Sequence, residues 1–396
     1  MRPKGSVLTP FNVISVPISL LGIGILVVRF TRGLGAVTDL SQAYPWGLWI
    51  GFDVVTGVAL AGGAYIITFA VYVMRLERFH PIVRPAVLSG LLAYLFYAGA
   101  LVLDLGRPWH IINPIIGNKF GYNSVLFLVS WHFLLYMMAE VLEFSPVVAE
   151  WLGLKRARRI LSTMTLGAVI FGVTLSTLHQ SGLGALYLMA KPKIHPLWYS
   201  EFIPIFFLVS SIFAGLSMLI FEGSISHRVF SNQIDPEKHA SFDEIMFGLA
   251  KGAAISMFVY YFFKVLVFVH DRQWSLLAGF WGWWYVLEVI GLVLVPCFLF
   301  AYGVRHRRLA VVKVAAVITI LGVILNRLNI SVIAFNWNSP ASYFPTWMEF
   351  VVTLMVIFAE VWVFRWIVLR MPVLREAHEL PAAGHPVTTV QTQTSN

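Results

Sequence analysis

The chain has 396 residues, of which 59% are hydrophobic and 12% charged, with a mean hydropathy of +0.79. A soluble domain carries about twice that share of charge, so a soluble enzyme is excluded and an all-α integral membrane protein is expected. The net charge of +9 is read as basic loops on the cytoplasmic side rather than as nucleic-acid binding.

Apolar runs long enough to cross the hydrocarbon core as helices fall at about ten places. They are 12–31, 46–74, 86–104, 122–143, 158–178, 201–222, 244–270, 280–304, 309–329 and 347–370. The first follows Met1-Arg2-Pro3-Lys4, a basic start like that of a signal peptide. Its apolar run is too long for a cleaved signal and no small-x-small site follows, so an uncleaved anchor is expected. Residues 1–370 read as one polytopic domain, and 371–396 as a polar tail expected to be disordered. The single cysteine, Cys297, excludes a disulfide framework and any iron–sulfur cluster held by this chain. No metal site is expected.

Basic residues gather in alternate loops. One side takes Arg2, Lys4, Arg75, Arg78, Arg84, Lys155, Arg156, Arg158, Arg159, Arg228, Lys238, Arg305, Arg307, Arg308, Lys313, Arg370 and Arg375. The other has Arg32, Arg107, Lys119, Lys191, Lys193 and Arg272. The positive-inside rule then puts both termini in the cytoplasm of a bacterial inner-membrane protein. The outer loops hold Pro45-Trp46-Gly47-Leu48-Trp49, Asp104-Leu105-Gly106-Arg107-Pro108-Trp109, His179-Gln180-Ser181-Gly182-Leu183-Gly184 and Tyr343-Phe344-Pro345-Thr346-Trp347. The tryptophans fit an interfacial belt; the charged and amide residues among them need another explanation.

An ionisable residue inside the bilayer costs several kcal/mol unless paired or hydrated, so each is a functional hypothesis. At about 1.5 Å per residue, Asp53 lies about 10 Å below the outer face. Tyr94 lies roughly 15 Å below Asp104 and Arg107 on the same count. His132 falls near the middle of the fourth run, with Glu140 and Glu143 beneath it. His179 marks the outer end of the fifth run and Glu222 the inner end of the sixth; Lys264, Glu288 and Glu360 also fall within runs. Near the cytoplasmic boundary, snorkelling explains Glu143, Glu222 and Lys251 as readily as function does, and Asp104 with Arg107 fits a helix-end ion pair. A b-type haem needs two histidines on facing helices at similar depth. His179 and His270 are the one pair at matching outer ends, and His132 has no partner at its depth. No haem is expected.

These motifs resemble the NrfD-like membrane subunits of polysulfide-reductase type, most closely the HybB subunit of membrane-bound nickel–iron hydrogenases. The likeness runs from about residue 12 to 370. It is carried by Gly33-Leu34-Gly35-Ala36-Val37-Thr38-Asp39-Leu40 leading into Pro45-Trp46-Gly47, then by His80-Pro81 and Val83-Arg84-Pro85, and by Asp104-Leu105-Gly106-Arg107. It continues through Asn123-Ser124-Val125-Leu126-Phe127, His179-Gln180-Ser181, His195-Pro196-Leu197-Trp198, Phe221-Glu222-Gly223-Ser224 and Tyr343-Phe344-Pro345-Thr346-Trp347.

The resemblance implies two four-helix bundles plus peripheral helices. It also implies a quinone-reactive subunit without a redox cofactor of its own. Its partners would be a ferredoxin-like iron–sulfur subunit on the periplasmic face and a catalytic subunit, either a nickel–iron hydrogenase or a molybdopterin enzyme. Menaquinone or ubiquinone would be the substrate. Tyr94, His179 and Glu222 are the positions it implies for quinone or proton handling. The wider set expected at the quinone site is Tyr94, Asp104, Arg107, His132, His179 and Gln180, with Asp53, Glu140 and Glu222 on a proton path. One departure stands out: a glutamate is implied where this chain has Leu128, and His132 follows one turn later on the same helix face.

Two alternatives remain. A secondary transporter would fit ten helices with intramembrane charges, but broken helices near the midplane are the expected mark of one, and here Pro and polar motifs sit at outer ends. A structural anchor for a redox complex is the other; the depth of His132 and Asp53 speaks against an inert one.

Overall fold

The computed structural model describes residues 9–116, 121–234, 236–340 and 342–374. The tail from residue 375, and Arg2, Lys4 and Lys119 among the basic loop residues, lie outside the described residues. Among the described residues, ten helices are long and apolar enough to cross a membrane. They are α1 (Pro10–Arg32), α2 (Trp49–Val73), α3 (Glu77–Asp104), α4 (Val125–Trp151), α5 (Lys155–Ala190), α6 (Ile203–Val229), α7 (Ser241–His270), α8 (Phe280–Arg305), α9 (Leu309–Ile333) and α10 (Trp347–Val368).

Several helices outrun their apolar segments, three of them furthest. α3 begins at Glu77, α4 continues to Trp151 and α5 to Ala190, where the apolar runs stop at 86, 143 and 178. Polar residues extend a helix at its ends when partners satisfy them. Glu150 of α4 takes Arg84 of α3 at 3.1 Å and Arg158 at the start of α5 at 3.4 Å, tying the extensions of α3 and α4 to α5.

The extension of α5 corrects the placing of His179 and Gln180 in an outer loop. Ser181-Gly182-Leu183-Gly184 reads as loop because glycine is a poor helix former in water. Between membrane helices, small residues instead let neighbours approach. A Cβ on Gly182 would come within 2.8 Å of Val129, and one on Gly184 within 2.8 Å of Pro204. His179 therefore sits inside the helix, roughly 17 Å from its end at 1.5–2 Å per residue.

The packing forms two rings of four. Each of α2, α3, α4 and α5 contacts the next and α5 closes on α2; α6, α7, α8 and α9 do the same. α1 pairs with α10, and this pair lies against α3 and α2. The rings join through α2, which packs on α6 and α9, and through α5 on α6. α2 and α6 are accordingly the most buried spans. They cross so closely that a Cβ on Gly215 would collide with the backbone of Gly62 and Gly63.

Two faces result. The basic face bears Arg75, Arg84, Lys155, Arg228 and Arg305–Arg308 at helix ends; the opposite, aromatic face is built from the connections before α2, after α5 and after α9. There Ile194 pairs with Phe335 in a β-bridge, His195 N–H donates to Ala334 O at 2.9 Å, and Asn336 donates its side-chain amide to Ala43 O. The His195 ring lies among Trp198, Trp281 and Trp337, 4.6–5.5 Å between centroids, and burial pushes its imidazole below its ordinary pKa.

Helical geometry is irregular where polar groups are buried. Trp49–Thr56 of α2, Leu287–Leu294 of α8 and Asn329–Ile333 of α9 are π-helical, a form concentrated at functional positions. Asp53, Glu288 and Asn329 lie in these stretches.

Candidate functional site

The first ring closes around a buried polar cluster. α3 contributes Tyr94, α4 contributes Tyr136 and Glu140, and α5 contributes Ser176, His179 and Gln180, all buried. The Tyr94 ring lies 4.6 Å from that of Tyr136, 5.3 Å from Phe133 and 5.9 Å from His179. His179 Nδ1 is 3.1 Å from Val129 O. A carbonyl can only accept, so Nδ1 carries the proton and Nε2 of the neutral ring keeps its lone pair.

Gln180 donates Nε2–H to Val58 O at 2.8 Å. That carbonyl is free because α2 tightens at Gly62, whose N–H goes to Ala59 O instead. Glu140 Oε1 accepts from Tyr136 Oη, one helical turn before it, at 2.7 Å. The carboxylate lies in a notch over α3, where a Cβ on Gly90 would stand 2.5 Å from Glu140 Oε1 and 2.5 Å from Ala64 Cβ.

Four polar atoms of this cluster lack a well-formed hydrogen bond: Tyr94 Oη, Ser176 Oγ, His179 Nε2 and Glu140 Oε2, with Ser176 and Gln180 the polar side chains that act on the Tyr94 hydroxyl. Buried polar groups are paired in the great majority of cases. Several orphans converging on one level of one helix ring mark a place where a polar guest completes the bonding.

The other expected site residues fall in three places. His132 is half-buried on α4 and close enough to His179 to act on it electrostatically; its Nδ1 is also buried and unpaired. Because α4 runs on to Trp151, His132 lies in the first third of the helix rather than at its middle. Leu128, one turn before it, is 41% exposed and so lies outside the buried cluster.

Asp53 and Asp104 belong to a second group between α2, α3 and the α1/α10 pair. Thr353 of α10 donates to Asp53 at 3.2 Å. Asp104 feels Arg29 of α1 and Glu349 of α10. Arg29 itself donates to the carbonyls of Leu103 and Leu105 at the end of α3, whereas Arg107 is exposed. Arg29, absent from the sequence reading, thus takes the place by Asp104 that the ion-pair reading gave to Arg107.

Glu222 lines a cavity of about 90 Å³ near the basic face, with Ser89 and His227. Tyr97 connects the groups electrostatically: Glu360, Glu222, Asp53 and Tyr94 all act on it. Its ring is pressed on α2 at Gly57.

A third cluster in the second ring was largely missed. Glu288 of α8 accepts from Trp198 Nε1 at 2.7 Å, Asn326 Nδ2 at 2.7 Å and Asn329 Nδ2 at 2.5 Å. Arg327, wholly buried, donates to Asn326 Oδ1 at 2.8 Å, Ser210 Oγ at 2.6 Å and Phe207 O at 3.2 Å. The signal that could have found it is Asn326-Arg327-Leu328-Asn329, three strongly polar residues in four within an apolar run.

Comparison with known proteins gives the class. Residues 36–337 match the family described as polysulphide reductase, NrfD, and the chain belongs to that family: it is a multi-pass membrane protein of the NrfD type found in reductase complexes. Over 94% of its length it is 43% identical to a protein of Nitratidesulfovibrio vulgaris, covering 96% of that chain. It is 30% identical to the probable Ni/Fe-hydrogenase 2 b-type cytochrome subunit of Escherichia coli, over 92% of this chain and 93% of that one. It is 25% identical to the integral membrane subunit of menaquinone reductase from N. vulgaris, over 82% of each.

The second of these relatives overturns the expectation that no haem is involved, since its name is that of a b-type cytochrome. The side chains here supply suitable donors: His179 Nε2 and His132 Nδ1 are both buried and unpaired on adjoining helices. The other ring nitrogen of His179, Nδ1, donates to a backbone carbonyl, the arrangement that orients an imidazole as a ligand. His270, by contrast, is exposed at the end of α7.

Proposed function

We propose that this protein is the quinone-reactive membrane subunit of a respiratory oxidoreductase complex, exchanging electrons between an iron–sulfur subunit on its aromatic face and the membrane quinone pool. The observation that carries the reading is the set of buried, unpaired atoms at Tyr94, His179 and Glu140. The relatives named as a hydrogenase cytochrome subunit and a menaquinone reductase subunit support it. A nickel–iron hydrogenase or a molybdopterin enzyme is the catalytic partner in this reading. With the basic face in the cytoplasm, the aromatic face meets the iron–sulfur partner, residues 1–370 form the membrane domain, and the tail is cytoplasmic.

Quinol oxidation releases two electrons and two protons; quinone reduction takes them up. The lone pair of His179 Nε2 accepts one proton from a quinol hydroxyl, and protonated His179 returns it in the reverse direction. The Tyr94 hydroxyl hydrogen-bonds the other oxygen and passes its proton towards Glu140, which Tyr136 orients. A haem, where bound, would be held by His132 and His179 and would supply one-electron transfer; the quinol proton would then go to Tyr94 and Glu140 rather than to His179. Asp53 and Glu222, linked through Tyr97, provide the proton route towards the basic face, with His132, Gln180, Asp104 and Arg107 setting the aromatic-side boundary of the site.

The test is quinone-linked electron transfer in the purified complex, with its optical spectrum and extracted quinone. His179→Ala is expected to abolish quinone-linked turnover while partner subunits still reduce a soluble dye. Unchanged quinone turnover in that variant would sink the reading.

A further inference from the structure

A second cavity, of about 250 Å³, opens between α7 and α8 near the aromatic face. Phe268, Trp274, Tyr285 and Lys264 line it, and the Lys264 ammonium lies 5.6 Å from the ring of Tyr285. Val265, Val269 and Ile290 at its rim are exposed in membrane-spanning segments, so it faces the lipid.

Lys264 is 5% exposed, and a cation at that depth calls for a partner. Among the described residues it has two aromatic faces, Phe206 at 4.8 Å and Tyr285 at 5.6 Å, and no hydrogen bond or ion pair. The carboxylate whose field reaches it is Glu288, and both Glu288 oxygens are already taken by the indole of Trp198 and the amides of Asn326 and Asn329. Arg327 adds a second positive charge behind them. The ammonium thus keeps N–H groups without an acceptor among the described residues, beside a cavity that Lys264 lines.

We propose that this cavity is a second quinone-binding site, in which Lys264 donates to a carbonyl oxygen of the ring. Flat aromatic walls, Phe268 stacked with Tyr285 at 6.1 Å and edge-on to Trp274 at 4.9 Å, suit a flat ring. The isoprenoid tail leaves past Val265, Val269 and Ile290. A single ammonium donating to one oxygen fits a carbonyl. It does not fit an acidic phospholipid, whose phosphate is held at the interface by clusters of basic residues. Lys264 lies about 9 Å along the helix from His270 at 1.5 Å per residue, and its surroundings are aromatic rather than basic. The proposal rests on the reading of the chain as quinone-reactive.

Photolabelling of the intact complex with an azido-naphthoquinone, in phosphatidylcholine nanodiscs, tests it by peptide mapping. Labelling is expected in two regions, α4/α5 near His179 and α7/α8 around residues 261–290. Lys264→Gln is expected to reduce α7/α8 labelling at least tenfold and leave α4/α5 labelling intact, which also reports that the variant is folded. Lys264→Arg retains part of it, and Val265→Trp, which narrows the mouth without touching Lys264, removes it. Labelling confined to α4/α5 in the native protein overturns the second site and leaves the first standing. Labelling in neither region overturns both. Labelling of α7/α8 unaffected by Lys264→Gln, or displaced by phosphatidylglycerol but not by excess unlabelled quinone, also overturns it.

Discussion

Trp198 Nε1 donates to Glu288 Oε2 across 2.7 Å, so the segment that joins the two helix rings is anchored inside the second one. The same carboxylate gathers two asparagines of α9, and its helix unwinds into a π-helical stretch at that place. The connection between rings is therefore fixed by a buried acceptor rather than by loop contacts alone.

Removing that acceptor leaves three buried donors unmatched. Each unsatisfied buried group costs about 1–3 kcal/mol, so Glu288→Ala is expected to lower the detergent-solubilised protein's melting temperature sharply. Trp198→Phe, which removes one donor, is expected to cost less. Equal Tm values for the two variants would show that the network does not act as described.

His179 and Tyr94 make different predictions for quinone turnover. Loss of a positioned proton-transfer group costs about 10²–10⁴-fold, and His179→Ala is expected in that range. Tyr94→Phe keeps the ring packing against Tyr136 and Phe133 and removes the unpaired hydroxyl, so thermal stability should hold or rise while turnover falls. Steady-state assays with a short-chain quinol, alongside melting curves, separate the two effects.

Gly90→Ala is expected to destabilise by about 1–3 kcal/mol, the usual cost of overpacking, because the new Cβ meets Ala64 Cβ and Glu140 Oε1 at 2.5 Å. Gly99→Ala on the same helix meets nothing within 4 Å and serves as the control. Similar melting temperatures for both would place Glu140 elsewhere.

Arg29→Ala is expected to cost roughly 1.5–3 kcal/mol, the range for a hydrogen bond to a charged group, since it frees the carbonyls of Leu103 and Leu105 at the end of α3. The readout is the fraction of protein that stays monodisperse after detergent extraction. Arg107→Ala, at an exposed position, is expected to change nothing by that measure.

His195 gives a pH dependence. Burial lowers its pKa in the folded protein from about 6.5 when unperturbed. Between the two values the unfolded chain binds a proton that the folded chain does not. The His195 contribution is therefore complete above about pH 6.5 and is lost as pH falls through the lowered folded value. A His195→Asn variant should show a flatter melting-temperature profile between pH 5 and 7; an unchanged slope would place the titration elsewhere.

The sequence by itself determined the number of spans and their order, because a bilayer leaves a helix no choice but an apolar run of about 20 residues. It also marked Tyr94 and Glu140 as out of place in such runs, since intramembrane polar residues are costly, and singled out His179 at the outer end of one. It misjudged helix ends at Glu77 and Trp151, where polar residues continue a helix by finding partners on its neighbours, and at Ala190, where small residues let neighbouring helices approach. It passed over Arg29 and Arg327, whose acceptors lie 74 and 117–120 positions away in the chain. Only the tertiary structure decided that α2 and α6 cross at Gly63 and Gly215, closing two rings side by side. That closure brings Tyr94, Glu140 and His179 from three helices to one level and leaves Asp53 and Asp104 outside the ring. Hydropathy records what each residue avoids; which atom meets which depends on the rotation of each helix about its axis, and that is set by packing between helices distant in sequence.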